Sequence, residues 1–147
     1  MANQPQNYKN HIRFYAPHHF VFYPLMLALL GSAIWFGSKA DENRTIWIFI
    51  TILIVVVIWV AFMMRQHYAL TLQNRIVLME LRYRYHVLTG KRLESIEGNL
   101  NEGQLFALRF APDEELEGLA QRAVQERLSP DAIKKAIKNW KADDRRV

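Results

Sequence analysis

A chain of 147 residues, half of them hydrophobic, carries a net charge of +5 and no cysteine. The missing thiols exclude disulfides, zinc–thiolate sites, iron–sulfur ligation and thiol nucleophiles together. With about a quarter of the length in two apolar runs, there is no room for a large soluble enzyme domain, which needs roughly 100 to 150 residues.

The N-terminal stretch QNYKNHIRFYAPHHFVFYP crowds aromatics, histidines and cations together, with Lys9 and Arg13 and no acid in residues 1–19. Such a mixture suits the headgroup layer of a membrane, or a docking motif anchored by Arg13, Tyr15, Phe20 and Tyr23. A sharper alternative is a haem, metal or quinone site built from His18, His19 and His67, because neutral imidazole is the commonest metal ligand. Adjacent histidines do not easily point the same way, and residues 1–36 offer no carboxylate. No cofactor, no metal and no catalytic residue is therefore expected.

Residues 20–37 form a first apolar span and residues 45–64 a second, with the turn 38–44 between them. Twenty residues at 1.5 Å each give ~30 Å, the thickness of a bilayer's hydrocarbon core. Small residues four apart, Ala28 with Ser32 and Ala33 with Gly37, would let another helix approach the first span closely. Six Lys/Arg against three Glu in residues 65–99 favour the cytoplasm, as do Lys9 and Arg13. Both termini are expected inside a bacterial inner membrane and the turn outside. A cleaved signal peptide fits poorly, since the apolar run begins late and leads into a second span.

No proline or glycine occurs from Arg65 to Thr89, so the second span is expected to continue as a cytoplasmic helical stalk over 65–89. Along it Ala69, Leu72, Ile76, Met79, Tyr83 and His86 recur at steps of three and four, a coiled-coil seam. Leu70, Val77, Leu81, Tyr85 and Leu88 line a second face. Two apolar faces imply a helix that self-associates, or one held between a partner and its own C-terminal segment.

A linker over 90–101 and a small helical head over 102–147 complete the chain. Asn101 and Gln104 predict a capping box for a helix reaching Phe110. Pro112, at a first-turn position, and the acids 113–115 predict a second helix to Leu128. Ser129 and Pro130 predict a third, with Ile133, Ala136, Ile137 and Trp140 on one face. Its lysines, with Arg145 and Arg146, could meet lipid phosphate; nucleic acid is not expected, ribosomal RNA excepted. Neither span holds an ionisable residue, which argues against an ion path. No phosphate-binding loop, kinase signature or nucleophile elbow is present.

The fold class is thus an all-α membrane protein: a two-helix transmembrane hairpin, a stalk and a small head. The N-terminal segment, the post-span RQHYALTLQNRIVLMELRYR and the terminal GQLFALRFAPDEEL and IKKAIKNWKADDRRV resemble a family of small two-span bacterial membrane proteins known only as a domain of unknown function. The family pattern usually has Ser where this chain has Pro112. The resemblance implies the architecture and transfers no catalytic residue. The function expected is that of a non-catalytic accessory or adaptor subunit of a larger inner-membrane or membrane-bound ribosomal assembly, with a self-oligomerising scaffold as a further alternative. Partner or lipid contacts are expected at Arg13, Tyr15, Phe20, Tyr23, Ala28, Ser32, Leu72, Ile76, Met79, Tyr83 and Trp140.

Overall fold

Long stretches of strong helix formers without a breaker leave the backbone one economical way to satisfy its own polar groups. In the computed structural model, which describes residues 6–11 and 15–143, all regular structure among the described residues is helical. Helix α1 covers Pro17–Lys39 and α2 covers Arg44–Thr89, and both are long and apolar enough to cross a membrane. Four short helices follow: α3 (Glu94–Glu97), α4 (Glu102–Leu108), α5 (Asp113–Gln125) and α6 (Pro130–Ala136).

Each long helix contains a π-helical stretch, Pro17–Phe22 at the start of α1 and Met64–Ala69 within α2. A π turn takes an extra residue, so the side chains beyond it are rotated relative to those before it. Ala69, the first member of the expected seam, lies inside that stretch, and the α-helical register of the seam starts at Leu72. Helix α2 ends at Gly90, whose φ of 68° is a left-handed conformation that glycine adopts without steric cost. Its amide donates to the His86 carbonyl at 2.8 Å.

The described residues divide into two compact units, 15–71 in one and 6–11 with 72–143 in the other. In the first, α1 lies against α2. Ala33 is buried, and a Cβ added at Gly37 would stand 3.0 Å from the Trp47 Cβ, so the Ala33 and Gly37 row is where the backbones come close. Phe36 stacks on Trp47 with ring centroids 5.3 Å apart. Most of the other large apolar side chains here face outward, Phe49 at 69% exposure and Leu53 at 63% among them.

The second unit has the opposite character. Leu93, Leu108, Leu116 and Ile133 are fully buried, packed with Phe110, Leu105, Leu119 and, from α2, Leu81 and Tyr85. The capping box forms as expected: the Asn101 side chain accepts from the Gln104 amide at 2.9 Å, and Gln104 accepts from the Asn101 amide at 2.7 Å. Residues 90–101 are more than a linker, because Leu93 is in the core and Ile96 and Leu100 pack against it.

Helix ends differ from expectation, and each difference has a local cause. Helix α4 stops at Leu108, and Phe110 turns into the core. Pro112 is extended and precedes α5 as its N-cap instead of sitting in its first turn. Helix α5 stops at Gln125 because Arg127 adopts φ 51°, and the Leu128 amide reaches back to the Ala123 carbonyl at 3.2 Å. Helix α6 stops at Ala136, well before Trp140. There the amides of Lys138 and Asn139 donate to the Glu115 carboxylate at 3.0 and 3.1 Å, and that of Lys141 to the Phe110 carbonyl at 2.9 Å, so tertiary bonds replace helical ones.

Candidate functional site

One side of α2 is fixed against the head by packing and charge. Val77, Leu81 and Tyr85 are buried there, at steps of four that keep them on one face. Arg82 grips Glu97 with two bonds, 2.8 and 2.7 Å, the fork geometry that arginine alone offers a carboxylate. Arg84 donates to Asp113 at 2.5 Å and to the backbone carbonyls of Arg109 and Ala111. The Arg84 guanidinium holds the Asp113 carboxyl below its ordinary range, with Lys141 adding to the effect. These bonds set the rotation of residues 72–89 about the helix axis.

With that rotation fixed, the expected seam residues share the opposite side. Leu72, Ile76, Met79 and Tyr83 are 58, 55, 68 and 73% exposed. At about 100° per residue their mean direction is roughly opposite to that of Val77, Leu81 and Tyr85. Four large apolar side chains thus form one exposed row. An open groove of about 560 Å³ runs beside it, between α2 and residues 109–113 and 141–143. Two ion pairs line it, Arg84 with Asp113 at 2.5 Å and Arg109 with Asp143 at 3.3 Å, and Glu80 stands beside them.

Residues 6–11 pack on the head, a contact the sequence reading missed. The Tyr8 hydroxyl donates to Asp131 at 2.5 Å, and the Gln6 side-chain oxygen accepts from the Asp143 amide at 2.7 Å. His11 lies between the rings of Phe110 and Trp140, with centroids 5.9 and 5.8 Å away. Its Nδ1 is 2.7 Å from the Tyr8 carbonyl, so that nitrogen donates and Nε2 accepts from Lys134 at 3.1 Å. Lys135 and Tyr8 hold the Asp131 carboxyl below its ordinary range, and Asp131 in turn pushes the Tyr8 hydroxyl up. Trp140, expected as a partner or lipid contact and on one face with Ile133 and Ile137, is half-buried against Phe110, 4.8 Å between centroids. The only hint in the sequence was Tyr8 and His11 three residues apart in a segment without helix signals.

Of the remaining site residues, Arg13 lies outside the described residues, as do Arg145 and Arg146. Tyr15 and Phe20 are exposed, and Tyr23 meets His18 edge to face at 4.6 Å. Ala28 and Ser32 are exposed, the Ser32 hydroxyl donating to the Ala28 carbonyl at 2.8 Å. Arg65 donates to His19 Nε2, joining the two π-helical stretches, whereas His67 is exposed. Among the described residues no group of three or more His, Asp or Glu side chains is placed to hold a metal, so the structure does not bring His18, His19 and His67 together as a ligand set.

The molecule is thus an all-helical protein with two helices apolar enough to cross a membrane and a small helical unit with its own core. The chain belongs to a family of unknown function, DUF6526, whose profile matches residues 1–147. Comparison with curated proteins and with solved structures finds no match.

Proposed function

We propose that the chain is a non-catalytic accessory subunit of a larger inner-membrane or membrane-bound ribosomal assembly. It is anchored by a two-span hairpin over 20–37 and 45–64 and offers α1, the exposed side of α2 and the head as contact surfaces. The observation that carries the anchor is that residues 6–11 and 72–143 fold as one unit while flanking two apolar helices with outward-facing side chains. Two parts of one folded unit share a side of the membrane, so the chain between them crosses an even number of times. That parity agrees with the distribution of Lys and Arg, which favours the cytoplasm for both ends.

The accessory role is supported by four exposed apolar side chains in a row on a helix whose rotation is fixed. Reporter fusions at the two termini and at Asp41 test the topology, with inside, outside and inside expected. A C-terminus open to protease on the outer face of intact spheroplasts would reject it. Gentle detergent extraction followed by identification of co-purifying proteins tests the role itself. Recovery of the chain alone, at every expression level, would reject the accessory reading.

A further inference from the structure

We propose that the exposed row on α2 is covered by a second copy of this chain, in a parallel, in-register helix pair. The inference rests on the reading of the chain as a membrane-anchored protein and holds whether or not a larger assembly exists. Leu72, Ile76, Met79 and Tyr83 are spaced four, three and four apart, so they take heptad positions d, a, d and a. Leucine at d with a β-branched residue at a favours two strands. The head occupies the opposite face through Val77, Leu81 and Tyr85, and leaves the seam clear.

What selects a second copy is the charge beside the seam. In this register Arg75 falls at g and Glu80 at e, five residues later, the spacing at which g of one strand meets e of the other in a parallel pair. Both are exposed, and neither has a hydrogen bond or ion pair within the chain among the described residues. Their neighbours Arg82 and Arg84 are both engaged by the head. A twofold pair of chains would bring Arg75 of each to Glu80 of the other, twice. The seam is only about two heptads long, too short to hold strands together in free solution. Anchoring both copies in one membrane raises their effective concentration and aligns them in parallel, which offsets the short length.

The chain has no native cysteine, which makes the test clean. Full-length Ile76→Cys and Leu88→Cys variants are oxidised in native membranes and run without reductant. Ile76→Cys is expected to give a band at twice the chain's mass, confirmed as two copies by differently tagged chains, while Leu88→Cys, on the head side, gives none. In the Ile76→Cys background, Arg75→Glu or Glu80→Arg alone lowers the dimer yield several-fold, and the two together restore it. Equal cross-linking at both positions, a cross-linked product containing a different protein, or no rescue by the double charge exchange would each overturn the proposal. Alkaline carbonate washing of the same membranes reads anchoring separately, so a failed anchor is distinguishable from a failed pair.

Discussion

The two units use the same amino acids in opposite senses. Between residues 15 and 71 Phe, Leu and Trp face outward and the close contact belongs to small residues, Ala33 and Gly37. In the head the same large side chains are at the centre and the surface is charged. Helices that enter lipid gain nothing from hiding Leu from Leu, because the tails are as apolar as the side chain, so they associate through close backbone approach. The head is driven by removal of apolar area from water, at roughly 1.5 to 3 kcal/mol for each large side chain.

Deletion of large side chains should therefore separate the units most strongly. Phe110→Ala in the head is expected to cost about 3 to 5 kcal/mol, and Leu116→Ala about 2 to 5 kcal/mol, enough to unfold so small a core. Limited proteolysis of the full chain in membranes would show the second unit digested while residues 15–71 stay protected. Leu53→Ala, in the first unit, should leave both fragments unchanged. An equal response of the two units would break the comparison.

Additions should show the reverse. Gly37→Val forces a branched side chain against Trp47, where even a Cβ would stand at 3.0 Å, and is expected to cost about 1 to 3 kcal/mol through separation of the helices. Gly31→Ala meets nothing within 4 Å and serves as the matched control. Fluorescence quenching of Trp47 in detergent micelles reads the difference.

A smaller effect is expected from the clamp on α2. Arg84→Ala removes donors to Asp113 and to two carbonyls, about 1.5 to 3 kcal/mol if none is replaced by water. Because Asp113 is held low by Arg84, its contribution is complete above the ordinary aspartate value of about 4 and fades as pH falls through the lowered folded value. The melting temperature of the head should therefore fall on acidification below pH ~4, and Asp113→Asn should blunt that fall. The smallest effect is expected at the histidines. His18→Ala with His67→Ala should change neither metal content nor visible absorption. About one metal or haem per chain, lost in the double variant, would replace the accessory reading by a cofactor-binding one.

The helices were legible where the signal was local. Asn101 and Gln104 mark a capping box, and the uninterrupted run to Gly90 marks the end of α2, because cap residues and breakers act on their own neighbours. Trp140 and residues 6–11 were not legible, since their places depend on partners far along the chain. Nothing in IKKAIKNWK announces that Glu115 will take the amides of Lys138 and Asn139. The two apolar faces of α2 were visible as a pattern, yet which of them the head would cover was decided by Arg82, Arg84 and their distant acids.

The bond between Tyr8 and Asp131 spans 123 residues of chain. At a synthesis rate of about 5 to 20 residues per second, Asp131 emerges roughly 6 to 25 s after Tyr8. Through that interval the segment around Tyr8 has no finished surface to rest on, and both long apolar helices are made before it does. Assembly of the head therefore waits for its C-terminal helices, and is closed by a segment made 123 residues earlier.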